Sequence, residues 1–130
     1  MMPPPKVKVL FYHAHFFNSS ETFIYQQVIN PYIEPLLLAK RFINSTGMSS
    51  DPFNKIQFKR TWWDGLISNV LIAFGIDRYY QNTSIKQLTE KISKNKPDVL
   101  HAQFGFSAVR ILPVAKKLKL PLIVSFHGMD

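Results

Sequence analysis

The chain contains no cysteine among its 130 residues. That excludes disulfides, thiolate nucleophiles and cysteine-type zinc sites together, and it fits a reducing compartment. Acidic residues are few: eight Asp and Glu against sixteen Lys and Arg leave a formal charge of +8. Such a surface favours anionic partners without saying which, and a merely solvated lysine-rich surface has the same composition. No apolar run approaches the roughly 18 to 20 residues that a membrane-spanning helix needs. The start, Met1-Met2-Pro3-Pro4-Pro5-Lys6, has no apolar stretch leading to a small-residue cleavage site, so no signal peptide is expected. Phosphate-loop, G-x-G-x-x-G and G-x-S-x-G motifs are absent.

What is present is core material. Apolar residues make up 46 % and charged residues 18 %, with eleven Phe, five Tyr and two Trp, enough for one globular domain. The apolar run 7–12 reads as a buried first strand. A helix is expected after Asn18-Ser19-Ser20-Glu21, where Asn18 and Glu21 have capping-box spacing and Ser20 is a rival cap. Phe23, Ile24, Val28 and Ile29 would form its apolar face, and Pro31 would close it. Residues 36–40 read as a second strand, 44–54 as a loop and 56–60 as a third strand. Leu66, Ile67, Val70, Leu71 and Phe74 fall at helical spacing, as do Ile85, Leu88 and Ile92.

The clearest stretch is 96–130. A turn at 95–98 precedes a strand over 99–103. A helix follows over 106–119, with Val109, Leu112 and Lys116 on neighbouring turns and a kink or lost bond at Pro113. A last strand, also buried, is expected over 122–126. Strands alternating with helices predict an α/β domain, a parallel sheet covered on both faces.

All four histidines fall in or just after expected strands: His13 and His15 after the first, His101 in the fourth and His127 after the last. Ligands of open parallel sheets bind beyond the carboxyl ends of the strands, so this placement predicts one pocket. The alternative is that one or two are hydrogen-bonded structural histidines. Gly128 after His127, and Gly105 after Phe104, permit a left-handed backbone or close ligand approach. Helix starts at Ser20-Glu21-Thr22 and near Gly105 would aim N–H groups at a phosphate or carboxylate. Glu21 has both a catalytic and a capping reading. His13, His15, His101 and Asp130 could instead hold a metal for a hydrolase.

Three segments in order resemble the N-terminal domain of GT-B retaining glycosyltransferases of family four, the type that builds bacterial surface polysaccharides. They are Ser20-Glu21-Thr22-Phe23-Ile24, Asp98-Val99-Leu100-His101-Ala102-Gln103-Phe104-Gly105, and Pro121-Leu122-Ile123-Val124-Ser125-Phe126-His127-Gly128-Met129-Asp130. The resemblance covers both ends of the chain and little of 40–95. It implies a Rossmann-like sheet with helices on both faces, an acceptor-side domain over residues 1–130, and a partner domain, absent here, that binds the nucleotide-sugar donor. It makes His127 the active-site histidine. Ser20, Glu21 and Thr22 become the segment facing donor phosphate and acceptor, and His101, Gln103, Gly105, Gly128 and Asp130 the remaining substrate-binding positions. Relatives often read His-x-His where this chain has His101-Ala102-Gln103, and many carry a glycine pair where it has Phe16-Phe17-Asn18. No cofactor or metal is implied beyond the donor itself. The implied acceptor is a glycan, lipid-linked in many relatives, and the implied location is cytoplasmic.

Lys59, Arg60, Trp62 and Trp63 suggest peripheral contact with an anionic inner membrane face, or a helix start anchored in the core. A basic module for nucleic acid is disfavoured, because the lysines are scattered and no recognition helix or aromatic-studded strand stands out. Paired glutamates, which hold the donor in relatives, are missing among Glu21, Glu34 and Glu90. The 130-residue chain alone is therefore expected to bind donor poorly and to turn it over little or not at all. Robust transfer by this chain in a nucleotide-sugar turnover assay would overturn that expectation.

Overall fold

A computed structural model of the chain describes residues 5–13, 15–17, 21–43, 47–49, 51–57 and 82–127, the side chains at 15, 82–85 and 106 excepted. The expected helix over 66–74 and the Lys59–Trp63 patch lie outside the described residues, as do Asn18 and Ser20.

Five strands form one sheet: β1 (Val7–Tyr12), β3 (Ile33–Ala39), β5 (Asn54–Gln57), β6 (Val99–Gln103) and β7 (Leu122–Ser125). Their order is β5-β3-β1-β6-β7, and every pairing is parallel. Two short strands, β2 (His15–Phe16) and β4 (Arg41–Phe42), pair separately. The helices are α1 (Thr22–Val28), α2 (Asn82–Asn95) and α3 (Gly105–Leu118). This is the Rossmann-like α/β sheet that the alternation of strands and helices predicts. No helix among the described residues is long and apolar enough to cross a membrane.

The sheet has two apolar faces because alternate residues point to opposite sides. Leu10 and Tyr12 of β1, Leu36 and Leu38 of β3, and Leu100 and Ala102 of β6 form one core with Ile92 of α2 and Ala108, Ile111, Val114 and Ala115 of α3. Val9, Phe11, Leu37 and Ala39 face the other way and pack with Ile24 and Val28 of α1, Phe16, Phe17 and Met48. Helices therefore cover both faces. Strands buried on both sides read as continuous apolar runs, as Val9-Leu10-Phe11-Tyr12 and Leu36-Leu37-Leu38-Ala39 do.

Several element details differ from the sequence expectation. β3 starts at Ile33, upstream of residue 36, and runs through Pro35. β5 pairs with β3 only from Leu36 onward, so at Pro35 one side of β3 has no strand to donate to, and proline is tolerated there. β5 covers Asn54–Gln57, ahead of the expected 56–60. α3 buries Ser107, Ala108, Ile111, Val114 and Ala115 and leaves Val109 and Leu112 exposed. α3 continues through Pro113. The bond lost there is the one to the Val109 carbonyl, on the side of the helix that water reaches. α3 ends with Lys119 in the left-handed region, φ 55° and ψ 42°. The Leu120 amide returns to the Ala115 carbonyl at 3.0 Å, closing the helix before Pro121.

α1 has seven residues. Isolated helices shorter than about 12 residues are marginal in water, so tertiary packing must hold this one in place. Its anchors are Ile24 and Val28, which are fully buried, while Phe23 and Ile29 are partly exposed, contrary to the four-residue apolar face expected. Ile24→Ala should destabilise the fold by about 2–5 kcal/mol in urea unfolding. It should also loosen every contact that α1 makes with the strand ends.

Candidate functional site

The strand order reverses between β1 and β6. The chain steps outward from β1 to β3 and β5, then returns to β6 and continues to β7 on the other side. In open α/β sheets the crevice beyond the carboxyl ends at such a reversal is where ligands bind. His13 follows β1, Phe104 follows β6 and His127 lies two residues beyond β7.

Alternation along the strands puts a polar row on the α1 side. Val99, His101 and Gln103 share one face of β6, and the β7 register places Ile123 opposite His101 and Ser125 opposite Gln103. Side chains reach diagonally, two residues onward, and the same diagonal occurs twice. His101 Nε2 lies 2.6 Å from Ser125 Oγ, and His127 Nε2 lies 3.0 Å from Gln103 Oε1. Gln103 is fully buried and its Nε2 donates to Gln27 Oε1 of α1 at 2.7 Å. A chain of two amides thus links the helix to His127.

The second contact between α1 and the strands joins a carboxylate to an imidazole. Glu21, the residue before the first turn of α1, makes no capping hydrogen bond. Its Oε2 lies 2.9 Å from His13 Nε2, with 6 % of the His13 side chain and 16 % of the Glu21 side chain exposed. The capping reading of Glu21 is therefore corrected: its carboxylate is used by His13. A carboxylate on a buried imidazole supplies a charge-assisted bond and holds the ring in one orientation.

Phe104 joins the two histidines. Its ring centroid lies 5.3 Å from that of His13 and 4.7 Å from that of His127. Phe23 closes the other side of His127 at 4.4 Å. Phe104 has φ 72° and ψ 151°, a backbone region that side-chain-bearing residues rarely occupy, at about 1–3 kcal/mol. The sequence points to Gly105 for such a conformation. In the structure Gly105 is the first helical residue of α3 and Phe104 takes the strained position. It is held by its amide on the Ser125 carbonyl at 2.8 Å and by its carbonyl, which accepts from Ala108 at 3.2 Å.

Of the expected site residues, His127, Gln103, Glu21 and His13 converge, and His101 lies beside them on the same face. Thr22 opens α1 and is exposed. Ser20, Gly128, Asp130 and the His15 side chain lie outside the described residues. Among the described residues no three His, Asp or Glu side chains are grouped to hold a metal ion, and His101 is paired with Ser125. Sequence reasoning missed Gln27, Ser125 and Phe104. Gln27 had a signal, being a polar residue at i+3 from Ile24 within the apolar stripe of α1. Ser125 had a fainter one, two residues before His127 on the same strand face. The left-handed Phe104 had none.

Lys94 lies in the last turn of α2 and Lys116 and Lys117 in the last turn of α3, where positive charge complements the helix dipoles. On the α3 side, burial raises the Tyr12 hydroxyl above its ordinary value, partly offset by the charge of Arg110 and by a hydrogen bond with it.

Burial lowers the His101 pKa below the ordinary imidazole value, and the neighbouring charge of His127 lowers it further. The unfolded chain then binds more protons than the folded one between that lowered value and about 6.5, so stability is lost as pH falls through this window. His101→Asn should reduce this loss. The thermal stability advantage of wild type over His101→Asn should shrink on acidification below about pH 6.5, and an advantage that grows would contradict the assignment. No family model matches this chain, and no curated protein matches it either.

Proposed function

We propose that this chain is the acceptor-side domain of a GT-B glycosyltransferase, moving a sugar from a nucleotide-sugar to a glycan acceptor, with His127 beside the reacting centre. The observation that carries the reading is the position of His127. It belongs to the Pro121-to-Asp130 segment that resembles the family, and it stands at the carboxyl edge of the sheet, tied by Gln103 to the strand at the order reversal.

In this reaction the anomeric C–O bond to the diphosphate breaks, and the leaving oxygen keeps the electron pair. The acceptor oxygen forms the new bond and gives up its proton to the departing diphosphate oxygen. The transition state carries positive charge on the sugar and growing negative charge on the diphosphate. Oriented N–H groups at a water-poor edge stabilise such charge, typically by a few kcal/mol each. α3 opens at this edge with no acidic residue in its first turn. His127 would hydrogen-bond the sugar near the reacting carbon, and Gln103 would position it. Glu21 and His13 would set the first loop, with Ser20 and Thr22 facing phosphate and acceptor. Gly105, Gly128 and Asp130 would line the same cleft. His101 would act from behind, through Ser125. The acceptor class is a glycan, lipid-linked if the basic surface meets an anionic membrane, and the site of action is the cytoplasmic side.

The test is an NMR titration of the chain with glycan acceptors and with nucleotide-sugars. A glycan should shift the His127 ring signals, and His127→Ala should weaken that binding about tenfold or more, about 1.4 kcal/mol. Silence at His127 with every glycan and nucleotide-sugar at millimolar concentration would overturn the reading, as would stoichiometric zinc with hydrolytic turnover.

A further inference from the structure

Phe23 is the second residue of α1 and touches His127 beyond the end of β7, close to the reversal of strand order. A short helix held by packing gains from burying a phenyl ring, yet Phe23 is 39 % exposed while Ile24 beside it is fully buried. A lone exposed apolar side chain is ordinary on a protein surface. Two features set this one apart.

The first is that its plane is fixed. The His127 ring lies against it at a centroid distance of 4.4 Å and a tilt of 42°. Phe104 backs His127 in turn at 4.7 Å. The exposed part of the Phe23 ring therefore adjoins the half-buried site histidine.

The second is its setting on α1. Helical spacing makes Gln26 a neighbour of both Phe23 and Thr22. Thr22 and Gln26 are exposed. α1 carries no charged residue, and Glu21 before it has its carboxylate on His13. A flat apolar ring thus lies beside a hydroxyl and an amide. For a phosphate, α1 has no cation to pair with. An apolar chain laid over the ring would cover the hydroxyl and the amide without hydrogen bonds. An uncharged pyranose matches both parts. Its axial C–H bonds make an apolar face drawn to the negative face of the phenyl ring, and its hydroxyls lie around the rim.

We propose that Phe23 is a stacking platform for one uncharged pyranose ring of the acceptor, with Thr22 and Gln26 as polar contacts at the rim. This deepens the glycosyltransferase reading and rests on it for the role of the sugar. The contact itself requires no donor.

The experiment is NMR of the full chain with millimolar methyl glycosides of glucose, galactose, mannose and N-acetylglucosamine. Sorbitol, an open-chain polyol, supplies hydroxyls without a ring face. Phe23→Tyr identifies the Phe23 ring signals. At least one glycoside should show nuclear Overhauser contacts to that ring, confined to the C–H protons of one sugar face, and sorbitol should show none. Phe23→Leu, apolar but not flat, should weaken that glycoside about fivefold, and Phe23→Tyr should stay within about twofold of wild type. A merely structural role would lower the melting temperature of Phe23→Leu and give no sugar contact in wild type. Absence of contact with every glycoside overturns the proposal, as do equal contacts from sorbitol or undiminished binding by Phe23→Leu. Should Phe23→Leu fail to fold, the wild-type contacts and the sorbitol comparison decide. If glycosides shift His127 without touching Phe23, the platform fails alone. If they stack on Phe23 and the protein proves a zinc-dependent hydrolase, the transferase reading fails and the platform stands.

Discussion

A fully buried side-chain amide at Gln103 is the constraint on which the candidate site depends. Left without partners, such a group would cost about 1–3 kcal/mol. Its two partners come from parts of the chain distant in sequence, Gln27 on α1 and His127 beyond β7. Satisfying Gln103 therefore fixes where a seven-residue helix lies and where the last histidine points. The apolar contacts of Ile24 and Val28 hold α1 against the sheet. Hydrogen-bond direction at Gln103 adds what apolar packing lacks, a preference for one arrangement of polar atoms.

The Phe104 backbone and the His13–Glu21 pair bear on the same junction. A strained residue persists only where its surroundings over-determine it. Phe104 is bonded through both its amide and its carbonyl, and its ring touches two histidines. His13 is in turn held by a carboxylate on the residue that precedes α1. Both α1 and the β6–α3 corner are thereby tied to the strand ends at the order reversal. Under the proposed function, side chains held in advance would suit electrostatic chemistry, where stabilising groups should not have to reorganise during reaction.

Legibility in the sequence followed the range of the interaction. β1 could be read because both-side burial writes itself as consecutive apolar residues; β7 carries a similar apolar run, yet it ends the sheet, none of its residues is buried and Ile123 is 51 % exposed, so the expected burial of this strand is corrected. His13 and His127 could be placed at one edge because each follows a strand, whereas His101 lies within β6. Pro35 concealed the start of β3, since whether a proline is tolerated depends on how far the neighbouring strand extends. The spacing of Val109 and Leu112 left the buried face of α3 open, because apolar residues at helical spacing do not say which of two overlapping stripes the sheet selects. The Glu21 carboxylate had two partners open to it, a local amide and a distant imidazole, and local spacing favoured the wrong one.

The sequence by itself determined the α/β class, the parallel sheet with two covered faces, and the placement of His13 and His127 at the carboxyl edge. All three follow from short-range periodicity and from the rule that parallel strands need crossovers. Only the tertiary structure decided that Gln27, Gln103 and His127 form one hydrogen-bonded chain, that Glu21 serves His13, and that Phe104 takes the left-handed position ahead of Gly105. Those outcomes turn on which polar atoms meet across 8 to 76 residues of chain. Donor–acceptor matching at such separations is a property of the packed sheet and has no local periodicity to betray it.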